Sequence, residues 1–289
     1  MANKADNVSE FLVVGNPIAH SRSPEIHAAF AGETGVDMRY DKALVERNDF
    51  ERFADEFAAR GGRGMNVTLP FKVDAYRYVS QADPIAAGAQ AVNTIAFDTD
   101  GTSRGSNTDG GGLMRDLKGR HGQDLAGRTV LLLGAGGAAQ GVVEPLLADG
   151  PARLVVANRT LAKAEALIQH VGARDLHGHA GRCELSACDL NAVAAAPGWR
   201  ADLIVNATSF GHEQDQALPL DADWVGDAFC YDMTYGAGAV FYRWAADLRQ
   251  GGCADGLGML VEQAALSFEI WHGVLASTDP VYAQLRGQT

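Results

Sequence analysis

Seven polar side chains within the first 110 residues carry groups that could bind and protonate a small, oxygen-rich molecule. They lie in residues 15–24, 66–72 and 91–94, with the last motif followed by residues 107–110. Each motif adjoins a predicted strand end, where ligands bind in open α/β sheets. Hydroxyls, amides, one ammonium and one carboxylate suit a small polyhydroxy acid, because they supply a fixed set of donors and acceptors. The side chains are Ser21, Ser23, Asn66, Thr68, Lys72, Asn93 and Asp109.

Each of these residues also has a structural interpretation when it is taken alone. Ser23 before Pro24 is typical of a helix N-cap, Thr68 is typical of a strand, and Asp109 is typical of a turn or cap. Only the whole set, placed at the ends of several strands, favours a ligand site.

A glycine-rich turn near the middle of the chain has the arrangement of a dinucleotide site. The apolar run Thr129–Leu133 predicts a buried strand, and a predicted helix follows the turn as far as about residue 148. The first glycine permits a tight bend, and the second lets the backbone approach a pyrophosphate at the helix N-terminus. Ala139 stands where a third glycine is usual. Glycine-rich turns also occur in βαβ units that bind no ligand, so such a structural turn is the alternative. The turn comprises Gly134, Ala135, Gly136, Gly137 and Ala138.

The residues after the next strand indicate which dinucleotide binds. The predicted strand Arg153–Asn158 is followed by Arg159 and Thr160, with Lys163 one helical turn later. An NAD site normally has a carboxylate here for the ribose 2′-hydroxyl, whereas a guanidinium pairs with a 2′-phosphate. Asn158, Arg159, Thr160 and Lys163 therefore favour NADP. The alternative is a solvated helix start, although helix starts favour acidic residues.

Strand and helix signals alternate along the chain, which predicts an α/β fold with mostly parallel sheets. The predicted strands cover residues 11–14, 65–68, 92–97, 129–133, 153–158, 202–206 and 228–232. Helices are predicted from Pro24 to Phe30, over residues 48–59, after the glycine turn, and over residues 259–275. The last helix lies beyond the glycine-turn unit and must pack elsewhere.

Bulk composition narrows the class of protein. A chain of 289 residues suggests about two domains, and 47% apolar with 21% charged residues is typical of a globular protein. A formal charge of −12 argues against a nucleic-acid or anionic-membrane partner. We expect no signal peptide and no membrane span. Residues 109–200 carry 10 basic and 9 acidic residues, so the segment with the phosphate-binding motifs is close to neutral.

Cysteines and histidines form no metal-binding or catalytic pattern. The absence of CxxC pairs and zinc-ligand spacing predicts reduced thiols, no metal and a cytoplasmic location. For most of the histidines we expect capping, packing or surface roles. These residues are Cys183, Cys188, Cys230 and Cys253, and His20, His27, His212 and His272.

The motifs, taken in order from about residue 11 to residue 281, resemble those of the shikimate dehydrogenase family, whose members reduce 3-dehydroshikimate with NADPH. Further matching motifs are Asn206-Ala207-Thr208-Ser209-x-Gly211, Tyr231-Asp232-Met233-x-Tyr235 and residues 256–263. The resemblance implies an N-terminal α/β substrate domain, a Rossmann-like NADP-binding domain, and a C-terminal helix that returns to the first domain. The implied boundaries are 1–108 with 255–289 for the substrate domain, and 109–254 for the NADP domain.

The resemblance also implies a role for each site residue. Lys72 and Asp109 would form the catalytic pair, with Lys72 giving a proton to the substrate oxygen that gains the hydride. Substrate would bind to Ser21, Ser23, Asn66, Thr68, Asn93, Tyr235 and Gln263. NADP would bind to Gly134, Ala135, Gly136, Gly137, Ala138, Asn158, Arg159, Thr160, Lys163, Thr208, Met233, Gly256 and Met259.

Two other functions stay open. One is a quinate/shikimate dehydrogenase of the same fold, and the other is a non-catalytic NADP-binding sensor. The chain departs from the family pattern at Gln90, where many relatives have glycine, and over residues 236–240, where many have Thr-Pro. The paired serines and Arg159 favour shikimate as the substrate and NADP as the cofactor. We expect the protein to act as a monomer or homodimer.

Overall fold

The computed structural model describes residues 8–174, 182–193, 199–208, 220, 222–248 and 251–288. They form two compact units. Unit 1 takes in the described residues up to Gly112 together with Val261–Gln288, and unit 2 takes in those of Leu113–Leu260. Each unit has its own six-stranded sheet with helices, which confirms the predicted α/β class. The chain changes unit within two helices, α5 (Asp109–Gly119) and α10 (Leu257–His272), so the C-terminal segment returns to unit 1 as expected.

The sheet of unit 1 brings the three polar motifs to one edge. Its strand order is β2-β1-β3-β5-β6-β4, and β5 is antiparallel to both of its neighbours. The start of β5 therefore lies at the edge where β1, β3 and β6 end, and each motif adjoins one of these strand ends. The strands are β1 (Ser9–Gly15), β2 (Met38–Leu44), β3 (Gly62–Val67), β4 (Gln81–Ala82), β5 (Thr94–Phe97) and β6 (Ser103–Ser106).

Helices cover this sheet and close its core. The apolar face of α2 buries Phe50, Ala54 and Phe57, the helical spacing that the sequence predicts. These residues pack with Met65 of β3 and Ile95 of β5. The helices of unit 1 are α1 (Ser23–Thr34), α2 (Phe50–Ala59), α3 (Lys72–Tyr78), α4 (Pro84–Ala89), the later part of α10 and α11 (Asp279–Arg286).

Unit 2 has the Rossmann-like topology that the sequence predicts. Its strands are ordered β12-β11-β10-β7-β8-β9, and every neighbouring pair is parallel. From β7 the chain adds β8 and β9 on one side and then β10, β11 and β12 on the other, so the strand order reverses between β7 and β10. The strands are β7 (Thr129–Leu133), β8 (Arg153–Asn158), β9 (Glu184–Asp189), β10 (Leu203–Asn206), β11 (Phe229–Asp232) and β12 (Cys253–Ala254). Its helices are α5, α6 (Gly137–Ala148), α7 (Leu161–Arg174), α8 (Ala222–Val225) and α9 (Val240–Leu248), besides the start of α10.

A buried carboxylate fixes where α10 begins. Asp116 of α5 is fully buried, and the Tyr231 hydroxyl donates to its Oδ2 at 2.6 Å. A Cβ added to Gly258 would lie 1.9 Å from Asp116 Oδ1, so only glycine lets the first turn of α10 approach so closely. An anion at a helix N-terminus is electrostatically favourable.

Several expectations from the sequence need correction. Ser23 is not an N-cap but the first residue of α1, because Arg22 precedes the helix and no side chain caps it. Asp109, whose structural alternative was a turn or cap residue, is the first residue of α5. The helix predicted over residues 259–275 is α10, and it ends at His272 instead of residue 275. The next residue, Gly273, is in the left-handed region with a φ of 68°. Ser209, Gly211 and His212 lie outside the described residues.

No helix in the described part of the chain is long and apolar enough to span a bilayer.

His27 is a titratable group enclosed in the core of unit 1. It is fully buried and stacks on Tyr40 with ring centroids 4.1 Å apart. Within the described chain, neither ring nitrogen has a hydrogen-bond partner. Burial, assisted by repulsion from His272, lowers the pKa of His27 from 6.5 to about 3. His27 is therefore neutral in the folded protein, which confirms the expected packing role.

We expect His27 to make the protein sensitive to mild acid. The unfolded chain takes up a proton near pH 6.5 and the folded chain only near pH 3, so stability is lost as the pH falls from 6.5 towards 3. Between pH 7 and pH 5 this single group should remove about 2 kcal/mol from the free energy of unfolding. Urea unfolding at pH 7 and pH 5 measures the loss of unfolding free energy in each protein. In His27→Phe this loss should be smaller than in the wild type by about 2 kcal/mol.

The exposed His20 provides the control. His20→Gln should retain the full pH dependence of the wild type. Equal pH dependence in His27→Phe and the wild type would show that His27 titrates normally in the folded state.

Candidate functional site

Among the described residues of unit 1, the most enclosed ion pair joins Lys72 and Asp109. Lys72 is the first residue of α3 and Asp109 is the first residue of α5. Their side chains are 16% and 8% exposed, and Lys72 Nζ donates to Asp109 Oδ2. The pair is thus mostly shielded from water, although the ammonium still reaches the surface. Thirty-seven positions separate the two residues, so their spacing alone did not predict this contact.

Asn93 holds the second oxygen of that carboxylate. Its Nδ2 donates to Asp109 Oδ1 at 2.7 Å and also lies 3.4 Å from Gln263 Oε1. Asn93 itself is held between two strands, because its N–H donates to the Ser106 carbonyl of β6 and its carbonyl accepts from Val67 N–H of β3. The structure therefore brings Lys72, Asn93, Asp109 and Gln263 into one hydrogen-bonded cluster.

Asn66 adjoins this cluster but is occupied by the protein. Its Nδ2 donates to the Asn93 carbonyl at 3.2 Å and to Ser267 Oγ at 3.0 Å, while its Oδ1 accepts from the Tyr40 hydroxyl at 2.6 Å. Only 7% of the residue is exposed. Both amide hydrogens are used internally, so Asn66 supports its neighbours more than it offers donors to a ligand.

The serines lie at the start of α1, the helix after β1, and Thr68 directly follows the adjacent strand β3. Ser21 Oγ donates to Ser23 Oγ at 3.2 Å, so the two hydroxyls form a pair at the start of α1. Thr68 follows β3 and donates its N–H to the Val14 carbonyl of β1 at 2.9 Å. A Cβ on Gly15 would come within 2.5 Å of Thr68 Cγ2, so glycine is needed where the two motifs meet.

The glycine turn of unit 2 lies where the strand order reverses. Gly134 has a φ of 107°, and a Cβ there would approach the Ala207 carbonyl and Thr208 Cγ2 to 3.1 Å. Beside Gly136 and Gly137 no atom of the described chain lies within 4 Å of an added Cβ. The helix α6 then starts without a side-chain cap and without an acid in its first turn. Ala139 is fully buried, so the packing accommodates its methyl group.

These features fit a dinucleotide. Uncapped N–H groups at a helix start and open space beside two glycines suit a pyrophosphate. After β8, Arg159, Thr160 and Lys163 are exposed, and Asn158 Nδ2 donates to the Thr160 carbonyl at 2.9 Å. No carboxylate in the described chain pairs with Arg159 or Lys163. This segment therefore offers the positive charge that an anionic 2′-phosphate requires.

Residues assigned to the nicotinamide side also gather at the carboxyl edge of this sheet. Thr208 follows β10, Met233 follows β11, and Gly256 follows β12. A Cβ on Gly256 would lie 2.3 Å from the Met233 carbonyl oxygen, and Met259 is buried one turn later. Tyr235 also belongs to unit 2, and its role towards a substrate carboxylate stays a prediction.

Asp232 is a supporting residue that the sequence did not single out. It accepts from Asn206 Nδ2 at 3.1 Å, Thr234 Oγ1 at 2.7 Å and Tyr242 N–H at 3.1 Å, while burial raises the pKa of its carboxyl. Asn206 Oδ1 in turn accepts from Thr208 Oγ1 at 2.6 Å. The motif that contains Asp232 was a signal, but its contacts join separate strands and are invisible in the sequence. The described residues contain no group of metal ligands.

Comparison with known families assigns all three parts of the chain to one group. Residues 13–95 match the shikimate dehydrogenase substrate binding domain, and residues 116–209 match shikimate / quinate 5-dehydrogenase. Residues 256–286 match the shikimate 5′-dehydrogenase C-terminal domain.

Individual relatives agree over almost the full length. Shikimate dehydrogenase (NADP(+)) of Cellvibrio japonicus is 46% identical over 283 residues, which cover 96% of this chain and 97% of that protein. The crystal structure of an Ael1 enzyme from Pseudomonas putida is 39% identical with a TM-score of 0.85, over 96% of this chain and 98% of that one. Shikimate 5-dehydrogenase from Thermus thermophilus, solved with NADP(H) and shikimate, is 31% identical with a TM-score of 0.82. The match covers 98% of this chain and 100% of that one. The chain therefore belongs to the shikimate dehydrogenase family.

Proposed function

We propose that this protein catalyses the reversible, NADP-dependent reduction of 3-dehydroshikimate to shikimate. The observation that carries the proposal is the Lys72–Asp109 pair, which Asn93 holds in place. Lys72 and Asn93 lie in residues 13–95, which match the substrate binding domain of the family. Relatives named for this activity match nearly the whole chain. We place the substrate in residues 1–108 with 255–289, and the cofactor in residues 109–254.

Proton handling at the reacting oxygen falls to Lys72. NADPH, when bound, supplies the hydride that reaches the C3 carbonyl carbon of the substrate. The Lys72 ammonium donates a proton to the oxygen that gains negative charge. In the direction of shikimate oxidation, neutral Lys72 takes that proton back. Asp109 orients Lys72 and balances its charge, because Asn93 occupies one carboxylate oxygen and leaves the other to the ammonium.

The other side chains of unit 1 fix the orientation of the substrate. The paired hydroxyls of Ser21 and Ser23 donate to its carboxylate. Hydroxyls of the ring bind to Thr68, Asn93 and Gln263, which offer both donors and acceptors. Asn66 acts from behind them, since its amide hydrogens are already bound to Asn93 and Ser267.

The cofactor is held mainly by backbone groups and by one exposed cationic segment. Gly134, Ala135, Gly136, Gly137 and Ala138 bind the pyrophosphate, because an uncapped helix N-terminus follows. Asn158, Arg159, Thr160 and Lys163 bind the 2′-phosphate end. Thr208, Met233, Gly256 and Met259 contact the nicotinamide and its ribose.

We also propose a cytoplasmic monomer or homodimer. All four cysteines are free thiols, and burial raises the pKa of Cys188 to about 11 and that of Cys230 to about 12. Unreactive, unpaired thiols are compatible with a reducing compartment.

Shikimate oxidation tests the proposal directly. With purified protein, kcat/KM should be highest for shikimate with NADP, lower for quinate, and lower again for either substrate with NAD. The measurement is the rate of NADPH or NADH formation at varied substrate concentration. A higher value for quinate would identify a quinate/shikimate dehydrogenase, and no turnover with NADP bound would identify a sensor.

Lys72→Ala should lower kcat for shikimate far more than it raises KM. Loss of a positioned acid–base group removes about 100- to 10,000-fold in rate. Lys118→Ala is the matched control, because Lys118 is also ion-paired, to Asp149 of unit 2, but lies outside the proposed site. An unchanged kcat in Lys72→Ala would remove Lys72 from the mechanism.

Arg159→Ala should weaken NADP binding and leave NAD binding nearly unchanged. A charged hydrogen bond contributes about 1.5–3 kcal/mol, so KM for NADP should rise by roughly 10- to 100-fold. Arg153→Ala is the control, because Arg153 lies at the other end of β8 and pairs with Glu184. If the preference for NADP over NAD survives intact in Arg159→Ala, the 2′-phosphate assignment is wrong.

A further inference from the structure

We propose that Thr94 is a positioning residue for the reaction, because its buried hydroxyl sets the orientation of the Asn93 amide that holds Asp109. This inference rests on the proposed function and extends it to a residue behind the site. Thr94 is the first residue of β5, fully buried, and pairs with Asn66 and Ser106 in the sheet. Its side chain is thus attached to a rigid central strand and cannot itself reach solvent.

The orientation of an asparagine amide is decided by the groups around it. Asn93 Oδ1 accepts from the Thr94 hydroxyl at 2.8 Å and from Thr108 N–H at 2.9 Å. Two donors on one side require the oxygen there, which turns the NH₂ group to the other side. That group then lies 2.7 Å from Asp109 Oδ1. An inverted amide would set its oxygen against the carboxylate and its NH₂ group against both donors.

The contact between Thr94 and Asn93 uses the hydrogen of Thr94, because an amide oxygen can only accept. Asn66 Nδ2 also lies 3.2 Å from Thr94 Oγ1. Ser267 Oγ lies 2.8 Å from Thr94 Oγ1 and 3.0 Å from the Gln263 carbonyl, and its single hydrogen can go to either. Thr94 Oγ1 can accept from Ser267 while its own hydrogen goes to Asn93 Oδ1. Ser267 stands one helical turn after Gln263 in α10, so the same network holds that helix beside the strand.

The consequence reaches the ion pair. Asp109 Oδ1 is fixed by Asn93 and Oδ2 by Lys72, so a rotated Asn93 amide would displace the carboxylate and with it the ammonium. A displacement of about 1 Å at a reacting group lowers the rate by about 100-fold. Thr94 acts on the reaction only through Asn93.

Two substitutions at Thr94 separate its hydroxyl from its shape. Thr94→Val keeps the shape and removes the hydroxyl, and we expect kcat with shikimate to fall about tenfold or more, while KM for NADP stays within about twofold. Thr94→Ser keeps the hydroxyl and should restore most of kcat. Thermal unfolding gives the melting temperature of each variant. All assays are run well below that temperature, so that a lower kcat does not reflect unfolding.

A matched control removes a buried hydroxyl elsewhere in the same sheet. Ser103 of β6 is 7% exposed, and its hydroxyl bonds Ser80 at 3.0 and 3.1 Å without touching Asn93. Ser103→Ala should lower the melting temperature while kcat stays within about twofold of the wild type. Equal kcat in Thr94→Val and Ser103→Ala would overturn the positioning role, as would a Thr94→Ser variant no better than Thr94→Val.

A second readout does not depend on activity. The side-chain NH₂ resonance of Asn93, identified by its absence in Asn93→Asp, should exchange slowly with water in the wild type. In Thr94→Val it should shift and exchange faster, and in Thr94→Ser it should stay close to the wild type. A wild type that does not oxidise shikimate refutes the proposed function, yet the resonance still decides whether Thr94 orients Asn93. An unchanged resonance in Thr94→Val refutes the inference even if the enzyme is active.

Discussion

The pairing of a lysine and an aspartate away from most of the solvent is the constraint around which unit 1 is organised. A shielded ion pair is stable only when its remaining hydrogen-bonding positions are satisfied. Asp109 begins a helix, where a negative charge is favoured, but Lys72 also begins a helix, where a positive charge is not. The carboxylate must therefore compensate both the burial of Lys72 and its place on the helix. Asn93 and its supporting hydroxyls keep that carboxylate in one position.

The two units solve the problem of holding a ligand in different ways. Unit 1 relies on side chains from β-strand ends, and the antiparallel β5 is what brings Asn93 to the same edge as the ends of β1 and β3. Unit 2 relies on backbone, because Gly134 bends the chain beside Thr208 and leaves the start of α6 open. Side chains give directional contacts to hydroxyls, whereas N–H groups of a helix start suit the diffuse charge of a pyrophosphate. This division matches a proposed polyhydroxy substrate and a proposed dinucleotide.

The sequence predicted those features that depend on local residues. Thr129–Leu133 and Arg153–Asn158 coincide with β7 and β8, because strands buried on both faces are continuous apolar runs. Strands such as β6 (Ser103–Ser106) and β9 (Glu184–Asp189) were missed, since they are polar or half-exposed and become strands only through pairing. The Ser23 cap was wrong because the helix starts one residue earlier than a cap would require.

Long-range side-chain networks lay beyond the sequence for a related reason. Thr94 and Ser267 are 173 positions apart, and hydroxyl residues of this kind are common on any strand or helix. Their role follows only from the direction of the hydrogens that three-dimensional contacts impose. The resemblance to a family located Asn93 and Asp109, but it carried no information on what orients them. Motif matching therefore finds the groups that touch a ligand more readily than the groups behind them.

The overall acidity of the chain is compatible with two anionic ligands because local donors outweigh net charge. At physiological ionic strength, exposed charges more than about 8 Å away are largely screened. Arg22, which stands between Ser21 and Ser23, is paired with Glu25 at 2.9 Å and donates to the Leu285 carbonyl. The proposed carboxylate thus meets hydroxyls and the positive end of α1 instead of a dedicated guanidinium. Neutral donors at a helix start hold an anion with directional bonds, and they release it without having to break a buried ion pair, which suits an enzyme whose reaction is reversible.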